Sequence, residues 1–271
     1  MSSCDHNCST CSQKCDKKDF IIHTNKYSKF RKTFGIVSGK GGVGKSLVTS
    51  LLAVDAAKLG YKVSILDGDI LGPSICKTFG ITQKAFGDES GKFIYPAHAA
   101  LDIDVISTSM LLEHDDDPVI WRGSMVSNIV KQFYTDVIYG EQDIMFIDMP
   151  PGTGDVPLTI FQSIPLDGIV IVTSPQDLVS TIVEKAVKMA KMMDIPILAV
   201  VENYSYIKCP DCGKKIEIFG KSNASEKAKE NNIPHFISLP LDPSIASLVD
   251  KGEVDKIEYT FFKDFISEIM K

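Results

Sequence analysis

Residues 39–46 read GKGGVGKS, and the reading of that octet decides the fold. It fits G-x-x-x-x-G-K-[ST], the pattern of a phosphate-binding loop. Gly39, Gly41, Gly42 and Gly44, with Val43 among them, let backbone N–H groups curl around phosphate oxygens. The N-terminus of the next helix adds partial positive charge. Lys45 is placed to reach the outer phosphates, and Ser46 to ligate Mg²⁺ through its hydroxyl. The flanks agree. FGIVS (34–38) is an apolar strand, and SLVTSLLAVDAAKLG (46–60) is a helical run ending on Gly60, a residue suited to the position just past a helix.

The alternation continues along the chain. YKVSILD (61–67), IDVIST (103–108), DIMFIDM (143–149), GIVIVTS (168–174), IPILAVVEN (195–203) and HFISLPL (235–241) read as further strands. Several are continuously apolar, as strands covered on both faces are. DLVSTIVEKAVKMAKMM (177–193) reads as a helix with an acidic start and lysines towards its end. Such a chain predicts an α/β fold, a mostly parallel twisted sheet with helices on both faces. Residues 1–19 are polar and cysteine-rich and read as a tail, leaving 20–271 as one domain.

Bulk properties narrow the function. The 271 residues carry a formal charge of −6, with a pI near 5.4. That balance argues against a protein built to grip nucleic acid or an anionic membrane. No apolar run reaches the roughly 18–20 residues of a membrane span, and the start of the chain lacks a signal-peptide pattern. A cytoplasmic location is the expectation. Seven cysteines fall in groups of four, one and two (Cys4, Cys8, Cys11 and Cys15; Cys76; Cys209 and Cys212), which suits metal ligation better than a disulfide framework. Cys76, alone on an apolar stretch, reads as a small buried residue.

Three carboxylates lie where ligands bind in such sheets, beyond the carboxyl ends of the strands. Asp67 and Asp69 follow one strand, and Asp148 ends another after four apolar residues, the Walker B pattern, which assigns it to the metal. Asp67 is read as acting through hydrogen bonds to its neighbours. MPPGTGDVPL (149–158) follows Asp148; Pro150 and Pro151 stiffen its start, while Gly152 and Gly154 permit unusual backbone angles. It reads as a switch loop that senses the γ-phosphate.

Lys40, inside the loop, carries the first resemblance. KGGVGKS resembles the deviant phosphate loop of the ParA/MinD-like ATPases, which include the nitrogenase iron protein. The resemblance implies a nucleotide-sandwich dimer in which Lys40 reaches the phosphates of the partner subunit. It also puts Asp69 at the switch position that handles the attacking water, and makes Asn203 a candidate for hydrogen bonding adenine. Within that class, SGKGGVGKS, DGDILGPS, WRGS (121–124), IDMPPGTGDVPLT, VENYSY and CPDCG occur in the order found in Mrp-type iron–sulfur cluster carriers, also called ApbC/Nbp-type scaffold ATPases. The likeness spans about residues 30–250 and implies a homodimer that hydrolyses ATP and delivers a labile [4Fe–4S] cluster to apoproteins.

The cysteines fit that picture in two parts. Cys209 and Cys212, in CPDCG, are half of a four-ligand site, and a two-fold axis supplies the other half. Cys4, Cys8, Cys11 and Cys15 are spaced C-x₃-C-x₂-C-x₃-C and could close a site alone, with iron–sulfur and zinc both open and His6 able to replace one ligand. Two other readings stand beside the carrier. One is a ParA/MinD-like positioning ATPase whose cysteines form a zinc clasp. The other is an ATP-driven electron donor resembling the nitrogenase iron protein. The C-terminal stripe Phe261, Phe262, Phe265, Ile266 and Ile269 predicts a helix docked on the core and not on a membrane.

Overall fold

The structure is a computed structural model and describes residues 21–70, 72–112, 123–152, 154–175, 179–220 and 222–271. The tail cysteines Cys4, Cys8, Cys11 and Cys15, with His6, lie outside the described residues, as does Trp121.

In chain order the elements are β1 (Ser28–Ser38), α1 (Lys45–Lys58), β2 (Val63–Asp67), α2 (Ile75–Thr78), β3 (Phe86–Gly87), β4 (Ile94–Tyr95), β5 (Ala97–His98) and β6 (Asp104–Ile106). Then come α3 (Gly123–Thr135), β7 (Gly140–Asp148), α4 (Asp155–Ser163), β8 (Gly168–Thr173), α5 (Val179–Met193), β9 (Ile197–Lys208), β10 (Lys215–Ile216), α6 (Ala224–Glu230), β11 (His235–Pro240), α7 (Pro243–Asp250) and α8 (Lys263–Ile269). The main sheet runs β10-β9-β8-β1-β7-β2-β6-β5, with β11 paired to β9. Its pairings are parallel except at β5–β6 and β9–β10.

The parallel centre follows from composition. Every residue of VSILD in β2 and of GIVIVT in β8 is buried, so both faces of these strands are covered. β-Branched side chains fill that double-sided environment well. At the centre Phe34 of β1 and Phe146 of β7 pack with ring centroids 6.1 Å apart. Gly60 follows α1 at φ +90°, the left-handed conformation that ends a helix cheaply only for glycine.

Three boundaries differ from the sequence reading. β1 begins at Ser28 and β9 runs on to Lys208, because both strands pair past their apolar segments. The segment IDVIST keeps only three residues as strand before a 3₁₀ turn. At the C-terminus the predicted stripe docks as expected: Phe262 and Ile266 are fully buried, and the Phe262 N–H donates to Asp55 Oδ2 at 2.8 Å. No helix among the described residues is long and apolar enough to cross a membrane.

Candidate functional site

The carboxyl ends of β1, β7 and β2 meet at one place because the register makes them meet. Ile36 of β1 pairs with Asp148 of β7, and Asp148 pairs with Asp67 of β2. The chain leaves β1 through the phosphate loop and enters α1 at Lys45, so the helix N-terminus points into the same corner. The resulting cleft, about 330 Å³, is lined by Lys40, Gly42, Lys45, Ser46, Asp69 and Pro151 among others. Lys40 is exposed at its rim.

Asp148 is fully buried and is the hub of the site. Its Oδ2 accepts from Ser46 Oγ at 2.6 Å, and its Oδ1 accepts from Thr49 Oγ1 at 2.7 Å. Lys45 Nζ lies 2.7 Å from Oδ2, an ion pair without hydrogen-bond alignment, and 3.8 Å from Asp69 Oδ2. Thr49 was missed by the sequence reading. Its signal was available: positions three and four residues apart share a helix face, so Lys45, Ser46 and Thr49 line one side of the first turn of α1.

Asp67 is also fully buried. Its Oδ1 accepts from the Asp69 N–H at 3.2 Å and its Oδ2 from Ser107 Oγ at 2.9 Å, as expected of a group that holds its neighbours. Burial and then the Asp148 charge push the Asp67 carboxyl up to about 7, against the pull of Lys45 and Ser107. Burial also raises Asp69, offset mainly by Lys45. Ser107 follows β6 and went unnoticed in the sequence.

The donor set suits a hard cation. A serine hydroxyl and a carboxylate are oxygen ligands of the Mg²⁺ kind, and Thr49 fixes the carboxylate's other oxygen. The segment after Asp148 is tied into the same corner. Gly152 sits at φ +90° and donates its N–H to Ser38 O at 2.8 Å. Gly154 differs from expectation: its φ of −80° is ordinary, and its role is the N-cap of α4.

Gly44 shows why the loop needs glycine. It lies at φ +79°, and a Cβ there would stand 2.1 Å from Asn203 Nδ2 and 3.0 Å from the Tyr204 hydroxyl oxygen. Asn203 is buried; its Nδ2 donates to Val43 O at 3.0 Å and its Oδ1 accepts from the Tyr204 N–H at 3.0 Å. Its amide therefore grips the phosphate loop directly. A second pocket of about 190 Å³ adjoins the cleft, shares Leu47 and Val249 with it, and is walled by Leu241, Asp242 and Ile245.

Cys209 and Cys212 lie well away in sequence, on the turn between β9 and β10. Cys209 N–H donates to Lys214 O and Gly213 N–H to Cys209 O, both at 2.9 Å, with Gly213 at φ +70°. This knuckle leaves Cys212 exposed and Cys209 partly so. Hydrogen bonds from the Cys212 and Asp211 backbone lower the Cys209 thiol. No group of three or more His, Cys, Asp or Glu able to hold a metal occurs among the described residues, and the knuckle itself presents two thiols. Beside them Ile216, Ile218 and Phe219 are exposed. Cys76 is buried, as read from the sequence.

The chain is similar to known proteins. The family of NUBPL iron-transfer P-loop NTPases, of ParA type, matches residues 29–271. The chain is 44% identical over 236 residues to an iron–sulfur cluster carrier protein of Clostridium perfringens, covering 85% of this chain and 83% of that one. It is 43% identical over 264 residues to one of Methanocaldococcus jannaschii, covering 93% and 90%. Among solved structures, a nucleotide-binding protein of Archaeoglobus fulgidus in complex with ADP superposes with TM-score 0.78 at 39% identity, covering 87% of this chain and 92% of that one. The cell division ATPase MinD of Pyrococcus furiosus shares the fold, with TM-score 0.58 at 19% identity over 88% of this chain and 97% of that one.

Proposed function

This chain belongs to the NUBPL iron-transfer P-loop NTPases, and we propose that it is an ATP-hydrolysing carrier of iron–sulfur clusters, working as a homodimer. The observation that carries the reading is one chain holding both a phosphate loop wired to buried carboxylates and a knuckle with only two thiols. Two ligands hold metal poorly, whereas two knuckles across a two-fold axis supply the four thiolates of a [4Fe–4S] cluster. Ile216, Ile218 and Phe219 beside the knuckle are apolar surface that such a dimer would cover.

In the nucleotide site, Lys45 and the loop N–H groups bind the phosphates. Ser46 and Asp148 would hold Mg²⁺, which neutralises phosphate charge. Asp69 orients the attacking water, and Asp67 fixes Asp69 through its backbone N–H. Pro150 and Gly152 belong to the switch loop. Lys40 completes the partner's site. Asn203 secures the loop and is the candidate for hydrogen bonding adenine, with the adjoining pocket taking the base. Cargo is passed to apo iron–sulfur proteins, with hydrolysis setting how firmly the shared cluster is held. The tail cysteines form a separate cluster or zinc site.

The test is anaerobic transfer to an apo [4Fe–4S] enzyme, followed by its recovered activity, with wild type and Lys45→Ala. Wild type should transfer faster with Mg·ATP, and Lys45→Ala should not respond. Equal ATP response in both would remove hydrolysis from the mechanism. A colourless protein holding stoichiometric zinc after reconstitution would favour the clasp reading, and redox cycling coupled to ATP the electron donor.

A further inference from the structure

One strand touches both sites. β9 passes the phosphate loop at Asn203 and Tyr204 and ends at Lys208, immediately before Cys209. Five residues lie between Asn203 and Cys209, six steps that span at most about 20 Å at ~3.3 Å per step.

Between those points the strand is irregular and strained. Ser238 of β11 faces Glu202 and Pro240 faces Tyr206, so two steps along β11 match four along β9. The extra length falls at Asn203, Tyr204 and Ser205. Tyr204 stands at φ +59°, a left-handed conformation that a bulky residue adopts only under constraint. The Asn203 side chain accepts its N–H, and Ser205 Oγ donates to Glu202 Oε2 across the bulge. Glu202 Oε1 and, in register beside it on β8, Thr173 Oγ1 are buried with no hydrogen-bond partner among the described residues. A buried unmet polar atom costs roughly 1–3 kcal/mol. Such strain persists where the surroundings hold it, and a bulge re-aims the residues beyond it.

We propose that the Asn203–Tyr204 bulge is a positioning element that transmits occupancy of the phosphate loop to the Cys209–Cys212 knuckle, with Tyr204 as its principal residue. The Tyr204 ring lies against Gly44 and the Asn203 amide holds the Val43 carbonyl. When loop N–H groups turn onto phosphate, both contacts move. The surplus residues of the bulge take up or release length, and Tyr206 to Lys208 carry the displacement to Cys209. Beyond the bulge β9 pairs with β10 at Ile207–Ile216 and Lys208–Lys215, and Lys215 Nζ sits 4.2 Å from the centre of the Tyr206 ring. These ties join 206–208 to 215–216, so the knuckle between them follows the end of the strand. The inference rests on the carrier reading only for what the knuckle holds.

Hydrogen exchange on the full, cluster-free chain tests it, with and without saturating Mg²⁺ and a non-hydrolysable ATP analogue. In wild type, exchange across 205–216 should change by roughly ten-fold on saturation. Tyr204→Asn tolerates the left-handed backbone but removes the ring. It should abolish that change while phosphate-loop amides still respond, and Tyr204→Phe should restore it. Two results would overturn the proposal: Tyr204→Asn responding as wild type does, or wild type showing a response confined to the phosphate loop. Anaerobic cluster loading is measured separately. A chain that shows the exchange coupling but takes up no cluster would overturn the carrier reading and leave the coupling standing.

Discussion

Gly44 and Cys209 show how much single residues decide. Adding one methyl at Gly44 meets a left-handed backbone, worth about 1–2 kcal/mol against an L side chain, and a crowded Asn203 amide, worth about 1–3 kcal/mol of overpacking. Gly44→Ala is therefore expected to destabilise the fold by about 2–5 kcal/mol. Denaturant titration reads this directly, and unchanged stability would contradict the geometry. At Cys209 the backbone donors favour the thiolate, so its thiol ionises at lower pH than an ordinary cysteine. In the metal-free, reduced chain, iodoacetamide near neutral pH should alkylate Cys209 faster than an unstructured cysteine peptide. Peptide mapping of the labelled chain resolves the site, and a slower rate would contradict a knuckle poised for metal. Buried Cys76 should stay unlabelled until the chain unfolds.

At the scale of elements, α8 is structural. Phe262 is buried and its N–H is bonded to Asp55, whose carboxyl burial raises and these backbone donors lower. Phe262→Ala should cost about 3–5 kcal/mol of stability by denaturant titration, and neither form should bind anionic vesicles. Vesicle binding by the intact chain would contradict docking of α8 on the core. The element map was legible where period and punctuation agreed: GKGGVGKS announced β1 and α1, and Gly60 closed α1. It was less legible where pairing outran composition. The polar stretch YSYIK (204–208) carries no apolar run that would extend IPILAVVEN, yet β11 and β10 hold it as strand. The short hairpin of β3 and β4 left no apolar pattern at all. The same limit applied to the site. Lys45, Ser46, Asp67, Asp69 and Asp148 were legible because motifs fix them. Thr49 and Ser107 needed the fold to bring their hydroxyls onto carboxylates, and Tyr204 needed a bulge that no local sequence announces.

For the whole molecule, the central claim is that one chain is half of a cluster site. In the proposed reading Lys40 at the cleft rim serves the partner's nucleotide site and the two-thiol knuckle shares its cluster, so both call for a second copy. Charged replacement of the apolar surface beside the knuckle, Ile216→Glu with Phe219→Glu, should reduce dimerisation and cluster retention together while leaving ATP binding in place; sedimentation velocity would show it. Loss of one without the other would separate the interface from the cluster. The most direct measurement removes the tail from consideration by replacing Cys4, Cys8, Cys11 and Cys15 with Ala. The chain is then reconstituted anaerobically and sedimented while absorbance near 400 nm is followed beside iron and sulfide content. The account predicts one [4Fe–4S] cluster per two chains, sedimenting as a dimer and lost on Cys209→Ala. A cluster sedimenting with the monomer, or one unaffected by Cys209→Ala, would contradict it.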